Sequence, residues 1–255
     1  MHLLDVRHLS RYFGGIRAVE DVSFATKEGS VSSIIGPNGA GKTTLFNCLT
    51  GIFPPSRGEI TFDGRGTTAL APHEIAQAGM VRTFQNIRLF GGMSVIDNIM
   101  VGQHAKLVSG LAGSVFRTPG FKKEEKALRE KALEYLAFVG LESAAHATAS
   151  NLPYGHQRRL EIARALASDP KLILLDEPTA GMNPSETADV MEIIRRIRTL
   201  GITTILIEHD MHLVMGVSEW IIVLDHGVKI AEGTPEEVRA NPLVIEAYLG
   251  REDGF

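Results

Sequence analysis

Residues 36–43 read Gly-Pro-Asn-Gly-Ala-Gly-Lys-Thr and constrain the fold more than any other stretch of the chain. They follow a short β-prone run, Val31–Ile35, and precede a predicted helix over Thr43–Leu49. Glycines here let backbone N–H groups converge on phosphate oxygens without Cβ clashes, and the helix N-terminus adds a partial positive charge. The pattern G-x-x-x-x-G-K-[ST] in a strand–loop–helix context therefore predicts a phosphate-binding loop.

The residues of this loop have distinct predicted roles in binding a nucleotide. Lys42 would reach the β- and γ-phosphates, and the hydroxyl of Thr43 would take a place on Mg²⁺. The predicted contacts to ATP within the loop are Gly36, Pro37, Asn38, Gly39, Ala40, Gly41, Lys42, Thr43 and Thr44.

Enzymes with such a loop need a second acidic motif at the end of another strand. The run LILLDE supplies it, since an apolar stretch ends there in Asp176 and Glu177. Asp176 is predicted to hold Mg²⁺, directly or through water. Glu177, one residue on, points to a different place and is predicted to polarise an attacking water, with Lys42 neutralising phosphate charge beside it.

Short β-like runs alternate with helical patterns along the chain, which is typical of an α/β fold with a largely parallel sheet. Leu172–Leu175 and Thr203–Ile207 are apolar runs, each followed by an acidic residue. Trp220–Leu224 is another, and the Asp-His-Gly that follows it predicts a hairpin turn. With 255 residues and 44% hydrophobic residues, we expect a single domain, 1–255, with a sizeable core.

Helix starts are marked by a capping residue, proline at the first helical position and Glu three residues after the cap. Asn183–Glu186 and Thr234–Glu237 follow this pattern, and Asn241 with Pro242 opens a final short helix. From about Ser94 to Ala149 the periodicity is helical, with a long helix connection over residues 102–120. We therefore expect a helical subdomain at 94–167, inserted into a nucleotide-binding core made of 1–93 and 168–255.

Charge, cysteine content and the length of the apolar runs indicate which classes of protein the chain can belong to. The net charge of −4 argues against a nucleic-acid partner. The single cysteine, Cys48, suits a reducing compartment and is interpreted as a small buried helix residue. The longest apolar run, Leu107–Phe116, is shorter than the roughly 18–20 residues needed to cross a bilayer, so any membrane role is expected to be peripheral.

Several motifs occur together with the phosphate loop in a fixed order. They are YFGG at Tyr12–Gly15, RTFQ at Arg82–Gln85, DEPTAGMN at Asp176–Asn183 and EHD at Glu208–Asp210. In this combination, over nearly the whole chain, the sequence resembles the ATP-binding subunits of ABC transporters. The resemblance implies a P-loop NTPase core of RecA-like type, with an N-terminal antiparallel β subdomain and an inserted α-helical subdomain.

The resemblance also implies roles for residues that would mean little alone. Phe13 best matches the aromatic that stacks on adenine, and Tyr12 is the near alternative. Gln85 resembles the residue that touches both Mg²⁺ and the attacking water, and His209 the histidine that contacts the γ-phosphate. The expected catalytic set is thus Glu177, His209, Gln85 and Lys42, and the expected Mg²⁺ contacts are Thr43, Gln85 and Asp176.

The stretch LPYGH, at 152–156, resembles the family's L-S-G-G-Q signature turn, which donates N–H groups to ATP bound by a second subunit. Leu152 and Gly155 match that pattern, whereas Pro153, Tyr154 and His156 replace Ser, Gly and Gln. Pro153 removes a hydroxyl and an N–H, yet proline suits the start of a helix. We expect the N–H groups of Tyr154, Gly155 and His156 to bind the anion. The alternatives are a weakened or altered turn and a turn that only starts the helix.

Within the family, the details are most similar to the larger ATPase of the branched-chain amino-acid importer. They include VRTFQNIRLF at 81–90 and NPLVIEAYLG at 241–250. This likeness implies a second ABC ATPase subunit as partner, in a hetero- or homodimer, two integral membrane permeases and, indirectly, a periplasmic substrate-binding protein. It implies a place at the cytoplasmic face of the inner membrane, bound through the permeases. Alternatives are a urea or amide importer, a lipopolysaccharide exporter and a soluble ABC ATPase.

Overall fold

Two sheets organise the chain in the computed structural model, which describes residues 2–103 and 119–249. A four-stranded antiparallel sheet has the order β2-β1-β4-β5, and a six-stranded sheet has the order β10-β9-β3-β8-β7-β6. The strands are β1 His2–Phe13, β2 Ile16–Lys27, β3 Val31–Ile35, β4 Arg57–Phe62, β5 Arg65–Gly66, β6 Met80–Arg82, β7 Leu172–Asp176, β8 Thr203–Ile207, β9 Trp220–Asp225 and β10 Val228–Gly233.

The six-stranded sheet is parallel from β9 to β6, and only β10 pairs antiparallel, through the predicted hairpin. Every residue of β3, β7 and β8 is buried, as expected of parallel strands covered on both faces. Ile34 packs in one hydrophobic cluster and Ile35 in the other, because successive side chains of a strand point to opposite faces. The predicted α/β fold with a largely parallel sheet is confirmed.

The antiparallel sheet at the N-terminus packs on the cluster that contains Ile34. Its two long strands, β1 and β2, pair with several register shifts, and His8 and Asp21 at these irregularities have φ values of 50° and 52°. The hairpin between them turns at Gly14, immediately before β2, which approaches the phosphate loop. The sheet thus carries the predicted aromatic, Phe13, at its end nearest the nucleotide loop.

Helices cover both faces of the parallel sheet. They are α1 Lys42–Leu49, α2 Pro72–Ala78, α3 Val95–Gly102, α4 Pro119–Phe138, α5 Tyr154–Leu166, α6 Pro184–Thr199, α7 Met211–Val217, α8 Pro235–Ala240 and α9 Pro242–Leu249. The predicted capping boxes at Asn183 and Thr234 are confirmed, each with proline at the start and a reciprocal bond to the glutamate. The predicted final helix is confirmed as α9.

Helices α3, α4 and α5 pack on one another and supply most of the buried residues between 94 and 167. Most of the helix connection predicted for residues 102–120 lies outside the described residues, and Pro119 and Gly120 already belong to α4. Within the part of the chain that is described, no helix combines the length and the hydrophobicity needed to cross a bilayer. The division into a core and an inserted subdomain stays a prediction.

Candidate active site

The phosphate loop connects β3 to α1 as the sequence predicts. Gly39 and Gly41 have φ values of 82° and 97°, a conformation that a side chain would strain. A Cβ at Gly41 would also overlap the carbonyl oxygen of Ala18 in β2, so the loop requires glycine there. Lys42 curls back over the loop, with Nζ donating to the carbonyl oxygens of Gly36, at 2.7 Å, and Pro37, at 2.9 Å. Its charge is therefore held inside the concavity.

A pocket of about 420 Å³ lies beside this loop. It is lined by Asn38, Gly39, Ala40, Gly41, Lys42, Thr43, Thr44, Ile16, Arg17, Ala18, Glu177 and His226. Seven of the nine predicted loop contacts therefore share one cavity with the predicted catalytic carboxylate, whereas Gly36 and Pro37 do not line it. Ile16, 70% exposed, is a lining residue that sequence reasoning missed, because an exposed isoleucine in a hairpin carries no signal of its own.

Glu177 is where three predicted catalytic side chains converge. Gln85 donates from Nε2 to Oε2 of Glu177 at 2.9 Å, and Nδ1 of His209 lies 3.9 Å from its Oε1. Glu177 has a φ of 47° and leaves the strand there, while its N–H still donates to the carbonyl of Ile207 in β8. This turn separates its side chain from that of Asp176, as predicted from the sequence.

Asp176 ends β7 in a buried position, and its closest partner is a cation. Oδ2 accepts from Nη2 of Arg82 at 2.6 Å, and only 6% and 4% of the two side chains is exposed. Nη1 of Arg82 donates to Oδ1 of Asn47 in α1 at 2.7 Å, so one guanidinium joins the carboxylate to the helix of the phosphate loop. Sequence reasoning assigned no role to Arg82, although it opens the RTFQ motif, and none to Asn47.

His209 lies at the surface, with 63% of its side chain exposed, immediately after β8. The residue before it, Glu208, is buried and accepts from both the N–H and the hydroxyl of Thr179, at 3.0 and 2.6 Å. Thr179 belongs to the loop that follows Glu177. Glu208 therefore fixes the segment of His209 against the segment of Glu177, a positioning role that the motif EHD did not reveal.

Phe13, the predicted adenine-stacking residue, has its ring edge-on to Phe53, with 5.2 Å between the ring centroids. The guanidinium of Arg11 lies 4.5 Å from the centroid of the same ring. The hairpin turn then brings Ile16, not the aromatic ring, to the phosphate-loop pocket. The role of Phe13 stays a prediction.

The predicted signature turn begins helix α5. Pro153 is its N-cap, with an extended backbone, and the helix runs from Tyr154 to Leu166. The first N–H groups of a helix have no partner within it, so those of Tyr154, Gly155 and His156 are directed outward and suit an anion. Burial lowers the pKa of His156, with Arg159 adding to the effect, which favours the neutral imidazole. The binding of the partner's ATP by this turn stays a prediction.

Two close contacts join the signature turn to the loop at 180–183. A Cβ at Gly155 would lie 2.5 Å from Oε1 of Glu186, the residue that completes the capping box of α6. A Cβ at Gly181 would lie 3.5 Å from Cε1 of Tyr154, so the tyrosine ring covers this glycine. Tyr154, which replaces a glycine of the family's turn, thus packs against the loop that precedes α6.

A groove of about 780 Å³ lies between the core and the helices α3 and α5. Its walls include Gln77 from α2, Val101 from α3, and Phe84, Arg88 and Phe90 from the segment that follows β6. Glu161 and Arg164 of α5 also line it. The groove therefore runs beside the segment that carries Gln85.

The fold and the site define a P-loop ATPase cassette. A family model described as "ABC transporter" matches residues 19–180, and one described as "Branched-chain amino acid ATP-binding cassette transporter" matches residues 228–254. The chain belongs to the ABC transporter family and is an ATP-hydrolysing ATPase of that family.

Curated relatives match over almost their whole length. The chain is 50% identical, over 249 residues, to the high-affinity branched-chain amino acid transport ATP-binding protein LivG of Salmonella typhimurium, covering 97% of this chain and 98% of that one. It is 47% identical to the corresponding protein BraF of Pseudomonas aeruginosa, over the same shares. A probable LivG of Archaeoglobus fulgidus is 35% identical, over 99% of this chain and 97% of its own length.

Solved structures of ABC cassettes share the fold. A nucleotide-free ATP-binding cassette from an ABC transporter has a TM-score of 0.85 at 34% identity and covers 98% of this chain and 100% of its own. The ADP conformation of an ATP-binding cassette of an ABC transporter also has a TM-score of 0.85 at 34% identity, over 98% and 99% of the two chains. The expected fold class is therefore confirmed by solved structures as well.

Proposed function

We propose that this chain powers the uptake of branched-chain amino acids as the ATP-binding and hydrolysing subunit of an importer. The observation that carries the choice of solute is the 50% identity, over 97% of the chain, to the LivG protein of Salmonella typhimurium. The match of residues 228–254 to the branched-chain cassette family supports it independently of the phosphate loop. The site itself supports ATP hydrolysis and carries no information on the solute.

In its own half of the site, the chain would hold Mg-ATP on the phosphate loop. The hydroxyl of Thr43, the carboxylate of Asp176 and the amide oxygen of Gln85 are hard oxygen donors of the kind Mg²⁺ prefers. Bound Mg²⁺ would neutralise phosphate charge, and the ammonium of Lys42 would add a second positive charge. Glu177 would accept a proton from the attacking water. Gln85, whose Nε2 lies 2.9 Å from Oε2 of Glu177, would orient that water together with His209, which would also contact the γ-phosphate.

The other half of the site belongs to a second ABC ATPase subunit. The N–H groups at the start of α5 would contact the γ-phosphate of ATP on that partner, and its signature turn would contact ATP here. ATP then holds two subunits together, and hydrolysis releases them. The pair thus has a closed and an open state, and the γ-phosphate favours the closed one. In this proposal residues 94–167 move as a unit against the core formed by 1–93 and 168–255.

Transport requires two membrane permeases, which we place over the groove of about 780 Å³ beside the segment of Gln85. A cytoplasmic segment of a permease seated there would sense the position of Gln85 and hence the state of the nucleotide. The groove has apolar walls and also carries Arg88, Glu161 and Arg164, so it suits an amphipathic segment. The chain would thus be bound at the cytoplasmic face of the inner membrane, with a periplasmic binding protein delivering solute on the other side.

Uptake of radiolabelled leucine in a strain lacking this gene tests the proposal. We expect uptake to fall in the deletion strain, to return with the unsubstituted gene and to stay low with Glu177→Gln. Uptake of radiolabelled urea in the same strains is the matched control and should not change. Unchanged leucine uptake, or a loss of urea uptake instead, would show that the solute is wrong while leaving the ATPase assignment intact.

A further inference from the structure

The segment that carries Gln85 forms no strand or helix of its own. Residues 83–90 connect β6 to α3 without regular structure. At its start, the N–H of Thr83 donates to the carbonyl of Leu174, and at its end Asn98 of α3 exchanges two hydrogen bonds with the backbone of Phe90. Both ends are therefore fixed, and the backbone carbonyls between them need partners from elsewhere.

Arg158, in α5, supplies those partners. Its Nη1 donates to the carbonyl oxygen of Phe84 at 2.6 Å, and its Nη2 donates to the carbonyl oxygen of Gln85. The same guanidinium lies 3.2 Å from Oε2 of Glu161, one turn along the helix. The other carboxylate oxygen of Glu161 accepts from the N–H of Arg88 at 3.3 Å. One buried pair thus holds three backbone groups of the segment.

This pair is unusual because both side chains are only 2% exposed. Burial raises the pKa of Glu161, which marks the cost of keeping a charge there. A buried ion pair seldom stabilises a fold more than apolar residues of similar size would, so stability is a poor reason for it. The planar fork of an arginine, by contrast, fixes two acceptors in a defined geometry.

We propose that Arg158, held by Glu161, is a positioning residue that fastens the signature helix to the loop of Gln85. Helix α5 begins with the turn that serves the partner's ATP, and Gln85 contacts Glu177 of the chain's own site. The two half-sites of one subunit therefore move together through one guanidinium. The link to the partner's ATP rests on the proposed function, whereas the positioning of Gln85 does not.

The test replaces the pair with apolar residues, so that no charge is left buried alone. Arg158→Met combined with Glu161→Leu takes these partners from the carbonyls of Phe84 and Gln85 and the N–H of Arg88, so its thermal midpoint should fall. It should still fold, and it should bind Mg-ATP with unchanged affinity. Its kcat should fall by roughly 10- to 100-fold, with KM for ATP little changed, because small displacements of a positioning group are that costly. The control is Arg196→Met, since Arg196 of α6 also donates to a carbonyl across a helix contact, that of Phe138; its kcat should not change.

A double-mutant cycle with Gln85→Ala separates positioning from general structural damage. If the pair acts through Gln85, adding its loss to Gln85→Ala should lower kcat no further. Losses that multiply, or a normal kcat in the Arg158→Met, Glu161→Leu variant, would overturn the proposal. Because the assay reads ATP turnover and not uptake, a wrong solute would not alter it; an unsubstituted chain that fails to bind Mg-ATP would instead contradict the proposed function.

Discussion

Asp176 and Glu177 are adjacent in the chain yet have different neighbours. Asp176 completes a buried strand and meets the guanidinium of Arg82, while Glu177 turns out of the strand at a φ of 47° and meets Gln85. A non-glycine residue in this region is strained, and the surrounding bonds of Glu177 hold it there. The change of backbone direction at one residue therefore gives two adjacent carboxylates different surroundings.

Glu177→Gln should leave ATP binding intact and lower kcat by about 10² to 10⁴, the contribution of a general base. The amide keeps the shape of the side chain but accepts no proton. With hydrolysis blocked, ATP should also hold two subunits together longer, which size-exclusion chromatography with Mg-ATP would show. Turnover near that of the unsubstituted enzyme would mean that Glu177 is not the base.

His156 gives the signature turn a pH dependence of stability. Its pKa in the folded chain is lowered, chiefly by burial, below the ordinary value of about 6.5. The folded state therefore binds fewer protons than the unfolded state, so stability is retained above pH 6.5 and lost as the pH falls through the folded pKa. His156→Gln should weaken the fall of the thermal midpoint as the pH drops below about 6.5. An equally steep profile in the variant would assign the pH dependence to other groups.

At the level of elements, α5 combines an irregular start with a buried body. Pro153 occupies the N-cap without a side-chain capping bond, whereas serine is favoured at this position and can accept from an N–H of the first turn. Pro153→Ser should stabilise the helix by up to about 1 kcal/mol and leave kcat unchanged or higher. Chemical denaturation and ATPase assays measure the two effects. A collapse of activity would show that proline itself is required there.

The elements differ in how well their sequence predicted them. Local signals predicted the strands β3, β7 and β8 and the capped helices α6 and α8. In the fold these strands are buried and these helices carry the predicted caps. The long strands β1 and β2 were expected only through the family resemblance, because bulges at His8 and Asp21 break the alternation of their side chains. Each bulge inserts a residue, so the alternation of apolar and polar side chains that predicts a strand is interrupted there.

The site was predictable where a motif fixes a residue and not where tertiary contacts do. Lys42, Glu177, Gln85 and His209 were predicted, and the structure brings the last three together. The contacts of Arg82 and Arg158 were missed because their partners, Asp176 and the carbonyls of Phe84 and Gln85, lie more than 70 residues away in the chain. Buried arginines of this kind become visible only when the fold supplies their acceptors.

In the whole molecule, the phosphate loop lies where the two sheets meet. It leaves β3 of the parallel sheet, and Gly41 abuts Ala18 of the antiparallel sheet, while Gly227 of the β9–β10 turn donates to the carbonyl of Ala40. A ligand on this loop therefore contacts backbone that both sheets and the β9–β10 turn hold in place. Cys48, one helix turn beyond, is 2% exposed, and burial raises the pKa of its thiol to about 11, which confirms the interpretation as a packing residue.

Because the loop joins the sheets, ATP binding should stabilise the whole fold. At 100 times Kd, a ligand specific for the folded state adds about 2.7 kcal/mol, or about 5–10 °C in the thermal midpoint for a chain of this size. Lys42→Ala removes the positive charge facing the phosphates and should abolish both this shift and ATP turnover. The matched control is Lys171→Ala, since Lys171 pairs with Asp63 at an exposed position away from the loop, and the ATP shift should persist there. A Lys42→Ala chain that still gained stability from ATP would show that nucleotide binding does not depend on the charge held inside the loop.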